Sequence, residues 1–490
     1  GNSVLSAERL PYTTGVIGGG ELLFGGEVTL AGPGEGQNSY DTPWLFGSYG
    51  DGFNEIAARF HSYVRSLHPR LFSHGRPVIL NTWEAVYFDH NFDTLKALAD
   101  KAADSGVERF VVDDGWFGSR RDDTSGLGDW QIAQDVWPDG PKSLKALADY
   151  VHAKGMEFGL WFEPEMVNPD SDVARNHPDW ILSPTTGRLP LQGRTQQVLD
   201  LTNPDAFDYI YGCMDQLVGE LGIDYIKWDA NMTLFNYGST YLPRDKQSHL
   251  YIAYHRGLEN ILKRIHAKYP GLVMQACASG GGRINYGLLP YYDEFWTSDN
   301  TDALQRIFIQ WGVSNFFPAV AMASHVSVDT NYQTGRKTPL KLRFDVAMSG
   351  RMGMELQPAH MTDEDKAFAR RAIADYKLIR PVVQQGDLYR LISPFDKTGY
   401  ASLMYVSPEK DHAAYFVYKL EQYHNMPRPA FRMAGLDPQK RYLVRELSLD
   451  GKPIPQDGKT FTGAFLMETG LDFEVGGEHA SHVLELKAAE

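Results

Sequence analysis

The sequence predicts an α/β fold: a (β/α)8 TIM barrel with a C-terminal antiparallel β-sandwich and a short N-terminal β segment. Two patterns carry the barrel. Eight short apolar runs recur over about 250 residues, mostly with amphipathic helical stretches between them, which fits a closed parallel barrel better than an open doubly wound sheet. Acidic and other polar residues collect where these runs end, the face on which a barrel carries its chemistry. A third pattern, strands alternating with turns after residue 386, marks the appended β domain.

In chain order, residues 1–72 read as the N-terminal β segment and a linker helix. Gly18-Gly19-Gly20, Gly25-Gly26 and Gly32-Pro33-Gly34-Glu35-Gly36 are expected to break short strands into turns. The competing reading is a phosphate-binding loop, but the GxGxxG and GxxxxGK[ST] spacings are absent and no clear helix follows. Residues 53–67 carry Ile56, Phe60 and Val64 at helical spacing. The barrel is placed at 73–386. Its runs are 77–82, 108–114, 156–162, 196–201, 223–229, 272–278, 294–299 and 319–325, with helical patterns at 95–105, 144–154, 207–221 and 250–268. A helical stretch at 363–384 leads to the β domain at 387–490, with strands at 401–406, 413–418, 441–447 and 482–487.

Composition narrows the function class. The chain has 490 residues, 43% hydrophobic and 22% charged, which excludes disorder for its bulk. No run of about 18 apolar residues offers a membrane span. A net charge of −15 without basic runs disfavours nucleic acid and anionic lipid as partners. Two cysteines, Cys213 and Cys277, supply neither a disulfide framework nor a four-cysteine zinc site. Aromatic residues at 12% suit stacking on sugar rings, and large cores use them too. The chain begins Gly1-Asn2-Ser3 with neither an initiator Met nor a leader, so the native start is expected to have been removed and the compartment stays open between cytoplasm and periplasm.

Six of the run ends carry candidate chemistry: Asp113-Asp114, Glu163, Asp229, Cys277, Asp299 and His325. In Tyr225-Ile226-Lys227-Trp228-Asp229-Ala230-Asn231, strand alternation sends Lys227, Asp229 and Asn231 to one side. A carboxylate kept ionised by a neighbouring ammonium is suited to attack a sugar anomeric centre, although a structural Lys–Asp pair uses the same residues. Asn231-Met232-Thr233 matches a glycosylation sequon, which a buried strand end would not use. Asp299, ending the seventh run, is the better general acid, because the charge of Asp229 raises its pKa. Asp302 opens a helical pattern and reads as a helix-start residue. Asp113 and Asp114 suit either a metal or vicinal sugar hydroxyls, and the absence of ligand spacing such as HExxH or CxxC favours the sugar. Glu163 and Glu165 are the rival catalytic pair, but two residues so close on one strand do not straddle a bond, so a supporting role is expected. Cys277 has no neighbouring His base and reads as a buried thiol. The glycines of Cys277-Ala278-Ser279-Gly280-Gly281-Gly282-Arg283 allow a tight turn or a close backbone approach.

Taken together these motifs resemble glycoside hydrolase family 36, the retaining α-galactosidases or melibiases. The matching stretches are NTWEAVYFD at 81–89, VDDGWFG at 112–118, WFEPEMVNPDS at 161–171, GRTQQVLDLTNP at 193–204, YIKWDAN at 225–231, CASGGGR at 277–283, WTSDNTDALQRI at 296–307, ASHVS at 323–327 and NYQTGR at 331–336. The resemblance implies that Asp229 is the nucleophile and Asp299 the acid/base. It implies that Asp113 and Asp114 hold the galactose 4- and 6-hydroxyls. Lys227, Arg194, Asn231 and Trp161 would line the sugar subsite, with Trp83 nearby, and Cys277 with the Gly280 turn would face the 2-hydroxyl. It implies an oligosaccharide substrate, no cofactor or metal, and a homo-oligomer. Full-length members carry a large N-terminal β-sandwich, whereas only residues 1–72 precede the barrel here, and Arg283-Ile284-Asn285 stands where the family usually has Arg-Phe-Asp. An α-N-acetylgalactosaminidase and an α-galactosyltransferase are rivals on the same scaffold. A non-catalytic galactoside-binding protein is the rival from another class.

Overall fold

A computed structural model of the chain describes residues 3–9, 16–22, 46–73, 75–184, 190, 193–232 and 237–489. Strands β1 (Ser3–Arg9) and β2 (Val16–Leu22) form an antiparallel pair. The glycine triplet expected to make a turn lies inside β2, with Gly19 paired to Ser6, because extended backbone tolerates glycine when a partner strand fixes it. The turns expected at 25–26 and 32–36 lie outside the described residues. The next element is the helix Phe53–Leu67, whose buried Ala57, Phe60, His61 and Val64 trace one face.

The barrel is closed and parallel. Its strands are β3 (Ile79–Asn81), β4 (Arg109–Val112), β5 (Glu157–Phe162), β8 (Tyr225–Trp228), β9 (Val273–Ala276), β10 (Glu294–Trp296), β11 (Met322–Val326) and β12 (Arg351–Met354). The last joins the first through Gly353↔Ile79 and Met354↔Leu80. Two short strands, β6 (Met166–Val167) and β7 (Gln197–Val198), pair antiparallel beside the barrel.

One expected barrel strand is therefore corrected. The run at 196–201 supplies only this side pair, and the eighth barrel strand is β12. Its sequence, Arg-Met-Gly-Met, hides it: Arg351 is buried against Glu294 inside the barrel, and a Cβ at Gly353 would lie 2.4 Å from the His325 ring. Asp299 accordingly follows the sixth barrel strand and Cys277 the fifth.

Helices run back between most strands, and their ends follow local chemistry. Asn91 caps Phe92–Ser105 by accepting from the Thr94 N–H, and Gly106 closes it at φ 89°. Asn203 caps Pro204–Leu221, with Pro204 at the first helical position. Thr362 and Asp365 form a reciprocal capping box on Asp363–Gln385.

The barrel interior departs from the usual branched apolar layers. Arg351 and Glu294 are both fully buried, and Glu294 also accepts from the Tyr225 hydroxyl at 2.7 Å and the Gln275 amide at 2.9 Å. Burial works to raise the Glu294 pKa, but Arg351 and Arg109 outweigh it and hold the carboxyl below its ordinary value.

The C-terminal domain is a six-stranded antiparallel sheet of β13 (Asp387–Ile392), β14 (Tyr400–Val406), β15 (His412–Lys419), β16 (Arg441–Leu447), β17 (Thr460–Thr462) and β18 (Ser481–Ala488), ordered β13-β14-β15-β18-β16-β17. Both faces are covered, so its central strands read as nearly continuous apolar runs. Tyr405, Phe416 and Tyr418 join the barrel core, while Met404, Tyr415 and Val417 pack under Phe431, Phe473 and Leu466, the last on the short helix Gly463–Glu468. The Tyr405 hydroxyl donates to the Ser349 carbonyl at 2.7 Å and tethers the sheet to the barrel.

Candidate active site

A pocket of about 240 Å3 opens where the barrel strands end, lined among others by Asp113, Asp114, Trp161, Lys227, Asp229 and Asp299. Trp83, Arg194 and Asn231 also line it. Nine of the eleven residues expected at the site thus face one cavity. Cys277 and Gly280 do not line it.

Asp229 follows β8 and is 7% exposed. Its Oδ2 accepts from the Asn231 amide at 2.9 Å and the Trp161 indole at 3.2 Å, and its Oδ1 from the Ala230 N–H at 2.9 Å. The Asn231 carbonyl oxygen in turn accepts from the Ser279 N–H at 2.9 Å and its hydroxyl at 3.0 Å. That fixes which end of the amide faces the carboxylate. The strand alternation puts Lys227 in the same pocket, but its ammonium bonds Asp113 at 2.8 Å rather than Asp229. Burial alone would favour a neutral Lys227. Asp113, with Cys277, Glu355 and Asp229 beyond it, more than offsets this and pushes the pKa above its ordinary value.

Asp299 follows β10. Burial, then the charge of Asp229, pushes its pKa up, although the Trp296 indole donates to it at 3.0 Å. The Tyr332 hydroxyl donates to the Asp299 carbonyl at 3.3 Å. Asp302 caps the helix Ala303–Val313, accepting from the Leu304 and Gln305 N–H groups at 2.9 and 3.2 Å, as its position in the sequence leads one to expect.

Asp113 accepts from Lys227 and, at 2.7 Å, from Asn81. Asp114 is held by Arg120, with the shortest contact 2.8 Å, and burial pushes its pKa up to about 6 against the pull of that guanidinium. Glu163 and Glu165 are fully buried off the pocket. Glu163 accepts from the Gln196 amide at 3.0 Å and from the Asn231 N–H, and burial with the Asp229 charge raises its pKa. Glu165 accepts both Arg283 nitrogens at 2.7 and 2.9 Å, the Trp228 indole at 2.9 Å and the Tyr254 hydroxyl at 2.7 Å. It thereby anchors the end of the glycine turn. The turn needs its glycines because it packs on the loop carrying Asp299: a Cβ at Gly280 would lie 2.7 Å from the Asp299 nitrogen, and one at Gly281 2.6 Å from the Thr297 carbonyl. Cys277 is buried with Trp296 and Ala323, and burial raises its thiol pKa.

Three lining carboxylates, Glu84, Asp123 and Glu355, were not among the residues singled out from the sequence. Glu84 stands just after β3 and Glu355 just after β12, so only barrel closure makes them neighbours. Glu84 lies inside the NTWEAVYFD stretch, the one signal that marks it. Among the described residues no cluster of His, Cys, Asp and Glu has the arrangement of a metal site, and no helix is long and apolar enough to cross a membrane.

Comparison with known proteins agrees with this architecture. Residues 39–386 match the Melibiase family model, and 400–486 match that of the glycosyl hydrolase family 36 C-terminal domain. Alpha-galactosidase Mel36A of Lactobacillus acidophilus is 40% identical over 406 residues, 82% of this chain and 55% of that protein. AgaA of Geobacillus stearothermophilus is 39% identical over 444 residues, 90% of this chain and 59% of that protein. The crystal structure of AgaA superposes with a TM-score of 0.84 at 37% identity, covering 90% of this chain and 60% of that one. The alpha-galactosidase of Lactobacillus brevis gives 0.84 at 36%, covering 90% and 58%. The chain therefore spans somewhat over half the length of these relatives, and with its barrel and C-terminal sheet it belongs to the melibiase family, glycosyl hydrolase family 36.

Proposed function

We propose that this chain hydrolyses terminal α-D-galactosyl residues of α-galactosides with retention of configuration. The observation that carries the reading is the pair of carboxylates, Asp229 and Asp299, on one pocket in unlike surroundings. Asp229 is held by three N–H donors, as suits a charged nucleophile, and Asp299 is pushed toward its protonated form, as suits an acid. Family membership supports the same assignment, as do crystal structures of AgaA variants in complex with raffinose and with stachyose.

In this mechanism Asp229 attacks the anomeric carbon while Asp299 protonates the departing glycosidic oxygen. The products are a covalent β-galactosyl-enzyme and the free leaving group. Asp299, now ionised, takes a proton from water, which displaces Asp229 and releases α-galactose. Asn231 and Trp161 hold the attacking carboxylate in place. Asp113 and Asp114, already partnered by Lys227 and Arg120, present oriented acceptors to the sugar hydroxyls. The reaction draws only on these side chains and water.

The test is turnover of nitrophenyl α-galactoside beside the α-N-acetylgalactosaminide, in the wild type and in Asp229→Ala. The galactoside is the expected substrate, Asp229→Ala abolishes its hydrolysis, and added azide restores turnover as β-galactosyl azide. A near wild-type rate in Asp229→Ala removes the assignment.

A further inference from the structure

Glu84 and Glu355 form a buried polar hub that the mechanism above does not use. Glu84 is 5% exposed and Glu355 2%. The Glu84 carboxylate accepts the Thr301 hydroxyl on Oε1 at 2.7 Å and the Ser327 hydroxyl on Oε2 at 2.6 Å. The Thr301 hydroxyl itself accepts from the Asn331 amide at 2.9 Å. Thr301 lies two residues beyond Asp299, and Asn331 adjoins Tyr332, which bonds the Asp299 carbonyl. Loops from the first, sixth and seventh barrel strands are thus tied at one carboxylate, and the loop carrying Asp299 is the one strapped from both sides.

Glu355 completes the hub from the eighth strand, accepting the Glu84 N–H at 3.3 Å. Its other oxygen faces His325 Nδ1 at 2.8 Å. Arg351 approaches the second nitrogen of that ring at 3.4 Å, and a guanidinium only donates, so the ring proton sits on Nδ1 and is given to Glu355. Resting on the reading of Asp299 as the acid, we infer that Glu84 is a positioning residue that holds the acid loop through Thr301, with Glu355 seated against it from the eighth strand.

Charged groups surround the hub. Glu84 faces Glu355, with Tyr87 and Tyr332 at the pocket side; Glu355 faces Lys227, Asp113, Arg306 and His325. Burial, then the charge of Glu355, pushes Glu84 up to about 7. Burial, with Asp113 outweighed in part by Lys227, pushes Glu355 up to about 7.

The experiment has two arms. The first measures kcat/KM over a series of galactosides with leaving groups of graded pKa, in wild type, Glu84→Gln, Thr301→Val and Thr301→Ser. A misplaced acid hurts leaving groups that need protonation, so sugar leaving groups should lose about 100-fold in Glu84→Gln and Thr301→Val, and nitrophenols of low pKa less than about tenfold. Thr301→Ser keeps the hydroxyl and should restore the wild-type slope. The second arm follows the infrared carbonyl band of protonated carboxyl groups as pH rises through neutrality. One band that titrates in wild type should be missing from Glu84→Gln, and in Glu355→Gln, which lacks the charge that raises Glu84, it should titrate at lower pH. This arm needs no substrate: a wild type inert on α-galactosides would overturn the proposed activity and leave the pairing of Glu84 with Glu355 standing. Equal losses across the leaving groups, or Thr301→Val with the wild-type slope, overturn the positioning role. A titrating band unchanged in Glu355→Gln overturns the pairing of Glu84 with Glu355.

Discussion

Asp114 is the sharpest place to separate sugar recognition from support. Its carboxylate takes Arg120 Nε at 3.1 and 3.2 Å and Nη2 at 2.8 Å, and Arg120 is 1% exposed, its remaining amide partner being Asn168 at 3.0 Å. Asp114→Ala leaves that guanidinium only the exposed Asp123, at 3.6 Å, as a carboxylate partner. Breaking a buried pair from one side costs about 3–5 kcal/mol. At about 2.1 cal/mol/K per residue, a 490-residue chain unfolding as one unit has an unfolding entropy near 1 kcal/mol/K, so Tm should fall by about 3–5 °C. Loss of stability alone therefore does not decide the role of this residue. Asp114→Asn, which keeps the shape and drops the charge, removes about 1.5–3 kcal/mol per charge-assisted hydrogen bond to the sugar, or roughly 10–150-fold in kcat/KM. The assay pairs calorimetry with kcat/KM on nitrophenyl α-galactoside and α-glucoside. The galactoside preference should collapse in the variant, and in the wild type it should weaken as pH falls through about 6, where Asp114 gains its proton. Because the folded pKa is raised, the stability linked to this group runs the other way: it is present below about 3.8 and lost as pH rises through about 6. A lowered Tm with an unchanged galactoside-to-glucoside ratio would refute sugar recognition by Asp114.

Two more outcomes follow from the site. The raised pKa of Asp299 places the alkaline limb of kcat/KM above the range of a free aspartate, and Asp299→Asn should erase that limb while cutting turnover of raffinose far more than that of activated aryl galactosides; parallel losses would reassign the acid. Glu165→Ala leaves Arg283 buried beside Tyr254 without its carboxylate, so it should destabilise the fold by about 3–5 kcal/mol in denaturant titration; a change below about 1 kcal/mol would show that the glycine turn does not depend on this anchor.

The parts of the fold legible in the sequence are those whose partners lie close along the chain. Residues 53–67 and 250–268 bury one helical stripe each and appear with the bounds expected of them. Apolar runs ending in acidic residues located most of the site because each strand delivers its own terminal side chains. What was missed depends on closure. β12 opens with a buried arginine whose partner, Glu294, is two strands away around the barrel, and its glycine exists because His325 lies against it. Lys227 was expected to pair with its strand neighbour Asp229, but it bonds Asp113 from another strand. Glu84 and Glu355 are single acidic residues 271 positions apart, and no local spacing links them. The run at 196–201 shows the limit from the other side: its apolar character was real, but it serves a two-stranded flank of the barrel.

The pairing of β12 with β3 also dictates when, during synthesis, this site can first exist. A chain that has left the ribosome only as far as β11 has two open barrel edges, one on β3 and one on β11, and lacks Glu355 and Arg351. Parallel strands joined across such a span form late, because the entropy of the intervening loop is lost before any contact is gained. Until then both edges offer unpaired N–H and C=O groups to any neighbouring nascent chain. Expression of this protein should therefore be most sensitive to crowding of unfinished chains, and its refolding yield to concentration, at the step that brings residue 354 beside residue 80.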